Sequence, residues 1–244
     1  MRINGDYTKK DLNDFQKNLF LSYEMNSANK RVEGCAKLLD SMMEKNKNIR
    51  ILDIGGGAGY FAMALHKKLV NAEVVVLEIT EHNTWDTFKE IKFVSGNAFE
   101  AENLFEHGSF DIIFVNYVFH HLVQPTYGKT VEGIQFLLSS IQKLLKDEGV
   151  LFISECSYHI PVLNQFTGYL IYIASTIRVP VIAWLMRKLG SKSAGVGVCF
   201  LTYEKWLSLF QQTGYIVQST TKNTPRTLLL VLRERFFNFA LEKS

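Results

Sequence analysis

The sequence predicts an α/β fold in which short buried strands alternate with helices, and three observations carry that expectation. Ile49–Gly59 reads as an apolar strand that reaches Asp53 and runs into glycines at 55, 56, 57 and 59, with a helix from about Tyr60. Glu73–Glu78 is a second short strand, rich in valine and ending in a carboxylate. Val131, Ile134, Leu137, Leu138, Ile141, Leu144 and Leu145 recur at helical spacing, and a strand over Val150–Glu155 follows. Strands and helices in that alternation build a mostly parallel sheet with helices on its faces.

The glycine turn makes a nucleotide-type site. Glycine takes positive φ and lets a ligand lie against bare backbone. The N–H groups that open the next helix have no partner within it and are free to bind. Two patterns fit the turn. Gly57, Gly59 and Ala62 satisfy the dinucleotide fingerprint, with Glu78 near its expected acid. Asp53-x-Gly55-x-Gly57-x-Gly59, with the acid ahead of the glycines, resembles the first motif of the class I S-adenosylmethionine-dependent methyltransferases. That resemblance implies a turn passing under the methionine portion of the cofactor, with Asp53 near its ammonium or an ordered water. There is no pyrophosphate in that cofactor, so a carboxylate beside the glycines is tolerable.

The following elements extend the resemblance. Glu78 ends its strand where a carboxylate can accept bonds from ribose hydroxyls. Ile91–Ser95 is a third strand, and Gly96-Asn97-Ala98-Phe99 after it resembles the family's Gly-Asp-Ala-Phe loop, with Asn97 in place of the acid. An amide oxygen can still accept a bond from the adenine amino group. Phe99 either stacks on the adenine or packs under the sheet. Phe110–Asn116 is the fourth strand, and Asn116-Tyr117-Val118-Phe119-His120-His121-Leu122 resembles the family's post-strand stretch ending in His-His-Leu. Lys146–Gly149 stands for the family's turn before the fifth strand. Thr202 reads as an N-cap, Leu201 and Trp206 as a hydrophobic staple, and Gly214 as a helix stop. Tyr215–Thr221 and Thr227–Arg233 are the expected antiparallel hairpin. The resemblance spans roughly residues 49 to 233, interrupted at 156–200.

Outside those motifs, Asn26–Met43 reads as an amphipathic helix, with Val32, Cys35, Ala36, Leu39 and Met43 on one side. Family analogy makes residues 1–48 a helical cap and Tyr7 and Tyr23 pocket candidates; packing of Phe15, Phe20 and Tyr23 on the core is the plain alternative. The insertion 156–200 falls where the family places a substrate-covering lid. Phe166–Met186 within it is long enough to span a membrane by count. Arg178 and Pro180 interrupt it, so two shorter helices meeting near Val179-Pro180 are expected. Their apolar faces suit a greasy substrate, a homodimer, a peripheral membrane contact through 160–189, or ordinary core.

The chain has 244 residues, 47% of them hydrophobic and 21% charged, which suits one well-packed domain over 1–244. A net charge of +3 with no dense Lys/Arg block argues against nucleic acid as a partner. Cys35, Cys156 and Cys199 lack metal-ligand spacing, so no metal is expected. Without a recognisable secretory signal, reduced cysteines and a cytoplasmic location are expected.

The resemblance therefore implies a seven-stranded, mostly parallel, doubly wound sheet with a C-terminal antiparallel hairpin, a helical cap and a helical lid. It implies methyl transfer from S-adenosyl-L-methionine to a small or medium, rather apolar acceptor, at oxygen or else at carbon or nitrogen. The cofactor residues it implies are Asp53, Gly55, Gly57, Gly59, Glu78, Asn97, Ala98, Phe99 and Asn116. The sulfonium already activates the methyl, so orientation supplies much of the acceleration. A base is needed only when the accepting atom carries a proton. His120, His121 and Tyr117 are the candidates for it, with Glu155, Tyr158 and His159 at neighbouring strand mouths. A nicotinamide-dependent oxidoreductase and a non-catalytic cofactor-binding module stay open as alternatives.

Overall fold

The computed structural model describes residues 14–36, 39–40, 48–161, 163–176, 197–228 and 232–244. Helix α1 (Asp14–Gly34) leads into β1 (Arg50–Ile54), α2 (Tyr60–Lys68), β2 (Glu73–Glu78) and β3 (Lys92–Ser95). Then come α3 (Ala101–Leu104), β4 (Phe110–Asn116), α4 (Tyr127–Leu144), β5 (Leu145–His159) and α5 (Asn164–Thr176). Helix α6 (Tyr203–Gln212) and strands β6 (Tyr215–Lys222), β7 (Arg226–Leu228) and β8 (Leu232–Lys243) complete the chain.

The sheet runs β3-β2-β1-β4-β5-β8-β6, the expected seven-strand path, and the three-residue β7 pairs with β8 beside it. Strands β1 to β5 are parallel along that path, and β8 is antiparallel to both β5 and β6. Alternation along each strand builds two layers. Leu52, Ile54, Val75, Leu77, Ile113, Val115, Leu151 and Ile153 face one core, covered by Ile134, Leu137, Leu138 and Ile141 of α4 and Trp206, Leu209 and Phe210 of α6. Ile51, Val74, Val76, Ile112, Phe114 and Phe152 face the other, under Val32 of α1 and Phe61, Ala62 and Leu65 of α2. At the opposite end from the glycine turn, Asp111 Oδ2 accepts from Arg50 N–H at 2.8 Å and from Lys146 Nζ at 2.7 Å, tying β1, β4 and the start of β5.

Several boundaries differ from the sequence expectation. Helix α1 covers Asp14–Gly34, starting twelve residues before Asn26 (26 − 14 = 12). Gly34 ends it, because glycine gives up the most backbone freedom in a helix. The rest of the expected Asn26–Met43 helix lies partly outside the described residues. The second hairpin strand is β8, not Thr227–Arg233. The apolar run Leu228–Leu232 drew the sequence reading, but the buried alternation Phe237, Phe239, Leu241 makes the strand. Strand β5 begins at Leu145, with a register shift against Phe110 and Ile112 where the turn Lys146–Gly149 was expected. Thr202 caps α6 as expected, accepting from Lys205 N–H at 3.2 Å, and Leu201 and Trp206 are buried beside it.

In the insertion, α5 supplies one of the expected lid helices; the break at Val179-Pro180 lies outside the described residues, as does Tyr7. Gly168 is a close-approach position, since a Cβ there would overlap the Phe200 carbonyl oxygen. Tyr172 Oη donates to Gln124 O at 2.8 Å and Ser175 Oγ to Val198 O at 3.1 Å, docking the helix on the body. Phe166 and Leu170 are exposed on its other side. Among the described residues no helix is long and apolar enough to cross a membrane.

Phe239 is fully buried and packs against Phe210 at 5.0 Å and Phe237 at 5.9 Å between ring centroids. Phe239→Ala should cost about 3–5 kcal/mol, as removal of a buried aromatic ring does. Urea unfolding of the two proteins measures it, and a loss below 1 kcal/mol, roughly the scale of a surface change, would mean that β8 is not the central strand it forms here.

Candidate active site

Parallel strands β1, β2 and β4 all end at one edge of the sheet, and the chain leaves that edge through the glycine turn. Gly55, Gly57 and Gly59 have φ of 71°, 57° and 85°, left-handed conformations that only glycine adopts without strain. The turn is held from below: Gly55 N–H donates to Leu77 O at 2.7 Å and Gly57 N–H to Glu78 Oε2 at 3.0 Å. Glu78 Oε1 accepts from Ile79 and Thr80 N–H at 3.0 and 3.2 Å, so this buried carboxylate organises the turn from the end of β2.

From above, α1 reaches over the same turn. Glu24 accepts from Ala58 N–H through Oε2 and from Tyr60 N–H through Oε1, both at 3.3 Å, at the N-terminus of α2. A carboxylate is stabilised there by the helix dipole and the open N–H groups. Trp85, in the turn of 3₁₀ helix after β2, donates from Nε1 to Gly57 O at 3.1 Å and stacks on Phe93 at 4.7 Å. Neither Glu24 nor Trp85 was singled out in the sequence. Two turns of helix separate Glu24 from Arg31, a spacing that puts both on one side of α1.

Asp53 is 1% exposed, at the end of β1, and its Oδ2 is buried with no hydrogen-bond partner. A Cβ on Gly56 would overlap that oxygen, so the bare turn is what leaves room for the carboxyl. Burial first, and then Glu24, raise the Asp53 pKa to about 8; Arg31 opposes them and Glu78 adds to them. Asn116, at the end of β4, buries an Nδ2 that also meets no partner. The Asn116 amide faces the Asp53 carboxyl and helps to lower its pKa, and the two side chains border the backbone cradle together. Asn97 caps the turn after β3, its Oδ1 accepting from Phe99 N–H at 3.0 Å, and one lone pair stays available. Ala98 packs against the first core. The Phe99 ring lies against α4, 6.4 Å from the Phe136 ring and beside Gly133.

The stretch after β4 makes a second cluster. Tyr117 has φ of 59°, the one non-glycine residue with positive φ among the described residues, and it turns the chain off the sheet edge. Its N–H still bonds Ser154 O at 2.8 Å, and Arg31 stands 5.4 Å over its ring. His120 Nδ1 lies 2.9 Å from Glu155 Oε2. In the tautomer that donates from Nδ1 to the carboxylate, Nε2 presents a lone pair. Glu155 is 1% exposed and its Oε1 meets no partner. Phe200, from the end of the insertion, stacks on His120 at 4.9 Å, and the His121 ring is 4.0 Å away. The structure thus joins His120 to Glu155, which the sequence placed at separate strand mouths.

His120, Glu155 and Cys156 also bring three potential ligand atoms within 4.8 Å of one another. A metal would need the Cys156 thiolate. Burial, with Glu155 and Glu234 nearby, pushes that thiol well above its ordinary value, and the trio is better suited to orienting an imidazole than to ligation.

The profile of the family described as "Methyltransferase domain" matches residues 27–220. A highly reducing polyketide synthase of Gibberella moniliformis is 26% identical over 181 residues, 68% of this chain and 6% of that protein. Phosphoethanolamine N-methyltransferase 1 of Triticum aestivum is 28% identical over 114 residues, 45% of this chain and 22% of that enzyme. The chain thus spans less than a quarter of the length of either relative. Among solved structures, the 1,6-didemethyltoxoflavin-N1-methyltransferase of Burkholderia thailandensis, with its substrate and S-adenosylhomocysteine bound, superposes with a TM-score of 0.57. It is 14% identical, over 94% of this chain and 83% of that one, and at that identity the likeness is one of fold.

Asp53 supplies a pH test of this geometry. Its carboxyl ionises near 4, about the ordinary value, when the chain unfolds, whereas the folded group holds its proton to about 8. The stability this proton confers is present below the unfolded value and is lost as pH rises through the folded one. Asp53→Asn, which cannot ionise, should hold its stability more evenly between pH 5 and 8. It should gain at least about 1 kcal/mol on wild type across that window, the energy of roughly one pKa unit. Urea unfolding at several pH values reads the difference, and parallel profiles would show that Asp53 titrates normally.

Proposed function

The chain belongs to the methyltransferase-domain family, the class I S-adenosylmethionine-dependent fold, and from that premise we propose that it transfers a methyl group from S-adenosylmethionine to a small or medium acceptor, at oxygen. The observation that carries the cofactor assignment is the charge around the turn. Asp53, Glu78 and Glu24 all crowd the same glycines. Glu78 and Glu24 repel a dinucleotide pyrophosphate, and Asp53, which holds its proton until a cation approaches, joins them in suiting a cofactor that bears a sulfonium and an ammonium. This disfavours the oxidoreductase alternative. The complete glycine cradle and the buried Asp53 carboxyl and Asn116 amide nitrogen beside it support a working cofactor site.

In this reading Gly55, Gly57 and Gly59 give the backbone surface, Asp53 and Asn116 meet the amino-acid end, and Glu78 takes the ribose hydroxyls. Asn97, Ala98 and Phe99 border the adenine. When bound, the cofactor supplies an already activated methyl group. His120 Nε2 takes the proton from the accepting hydroxyl as the new bond forms, and Glu155 fixes the tautomer and stabilises the imidazolium. Tyr117 and His121 shape the wall between the two sites. The domain spans 1–244, with 1–48 as the cap and 156–200 as the lid; Phe200 over His120 excludes water from the reacting oxygen. The polyketide relative suits an apolar acceptor and the ethanolamine relative methylation at nitrogen. The dyad favours oxygen, because a neutral amine already offers its lone pair.

Calorimetric titration with S-adenosylhomocysteine, NADH and NADPH tests the cofactor. Micromolar binding of the first alone is expected; binding of a nicotinamide alone would overturn the assignment. In methylation assays across a panel of phenols, His120→Gln should lower the rate by roughly 10²–10⁴-fold, the usual worth of a positioned base, with homocysteine-product affinity unchanged. An unaltered rate would remove His120 from the chemistry.

A further inference from the structure

Beyond the dyad, the same face of the sheet opens into a cavity lined by Ser157 and His159 of β5, Tyr203 at the start of α6, and Arg233, Arg235 and Phe237 of β8. Strand pairing sets this row out. Glu155 pairs with Phe237, Ser157 with Arg235, and His159 with Arg233. Residues two apart on a strand share a face, so the two guanidiniums and His159 lie on the side to which Glu155 belongs.

Among the described residues neither the Arg233 nor the Arg235 guanidinium makes a hydrogen bond or ion pair. Two like charges at successive same-face positions repel one another. His159 adds a buried Nδ1 without a partner. Lys222 Nζ stands 3.5 Å over the Tyr203 ring, a further cation at this end of the sheet. Glu234 is turned to the other face, accepting from Tyr158 Oη at 2.8 Å, which leaves Glu204 as the acid on the cavity wall. A guanidinium pair of this kind is matched by a planar or tetrahedral oxyanion, which it can grip with parallel N–H bonds.

We propose that the cavity between β5, β8 and α6 binds an anionic group of the methyl acceptor, a carboxylate or a phosphate, through Arg233 and Arg235. This rests on the methyltransferase reading and names the acceptor class for it. Glu155 and Ser157 are one pleat repeat apart, roughly 7 Å along the strand. An acceptor that reaches from Arg235 to a hydroxyl presented to His120 is therefore a small molecule, a hydroxy acid or a phosphorylated alcohol. Phe200 stacks on His120 at 4.9 Å and packs edge to face on Tyr158 at 4.7 Å, closing the opposite face of β5.

The test uses the full chain saturated with S-adenosylhomocysteine and three probes: benzoate, inorganic phosphate and the neutral benzamide. Binding is followed by calorimetry and by the rise in thermal midpoint. Saturable binding of either anion, with benzamide at least tenfold weaker, is expected; the stronger anion identifies carboxylate or phosphate as the recognised group. Arg233→Gln/Arg235→Gln should weaken the anion at least tenfold and leave S-adenosylhomocysteine affinity within twofold, which also shows that the variant is folded. Equal binding of benzamide, no anion binding by wild type, or anion binding unchanged in the variant would each overturn the proposal. Failure of S-adenosylhomocysteine to bind wild type would sink the cofactor reading instead, and the anion titrations then run on the bare protein with the same criteria.

Discussion

Asp53 ends a central strand with β2 on one side and β4 on the other, and its buried carboxyl has only the Asn116 amide nearby to offset burial and the acids around it, with Arg31 acting from α1. A buried carboxyl in that position is costly when ionised, and the turn beyond it is arranged around that cost. The glycines keep side chains away, and Gly56 leaves the room a Cβ would take. Glu78 ties down the turn from β2 with bonds to backbone N–H groups, so the second carboxylate is better satisfied than the first. The result is a rigid cradle with one incompletely satisfied acid, whose energetic deficit a cationic ligand removes.

The same logic explains α1. Its Glu24 sits on the open N–H groups of Ala58 and Tyr60, which any ligand on this turn must also approach. That contact closes the helix over the site while adding a further acid beside Asp53, one of the causes of its raised pKa. Closure by α1 and charge excess in the turn are thus two effects of one side chain. Arg31, seven residues on, tempers them from the same helix and reaches across to the Tyr117 ring, linking α1 to the turn after β4.

What could be read from the sequence was what local pattern determines. The turn glycines, the strand at 73–78, the helix with Ile134, Leu137 and Leu138 on its face, and the Thr202 cap all rest on short-range spacing, and all stand at those positions. Contacts that depend on register between distant segments could not be read. His120 and Glu155 are 35 residues apart, and Glu24 and Ala58 are 34 apart. The hairpin strand was misplaced for a related reason. Leu228–Leu232 is a continuous apolar run, whereas Leu232–Lys243 sets Phe237, Phe239 and Leu241 in alternation with Phe236, Asn238, Ala240 and Glu242, and carries Arg233 and Arg235 at its start. A strand central to a sheet and polar at one end is decided by its partners, β5 and β6, and not by its own hydrophobicity.

Those partners also give the site its polarity. The cofactor end gathers Asp53, Glu78 and Glu24, and the far end of β5 meets Arg233 and Arg235. The His120–Glu155 pair lies between them, on β5 itself and on the turn from β4. A cationic donor at one end and an anionic acceptor at the other would each be held by the charge opposite to its own, and each would be repelled from the wrong end. Methyl transfer from a sulfonium leaves a neutral thioether, so the acidic end loses part of its hold on the cofactor once the reaction is over. The antiparallel β8 is therefore more than a family mark in this chain. It carries two arginines onto the face of β5 that bears Glu155, where, among the described residues, the parallel half of the sheet offers no cation to match an anionic acceptor of the kind proposed.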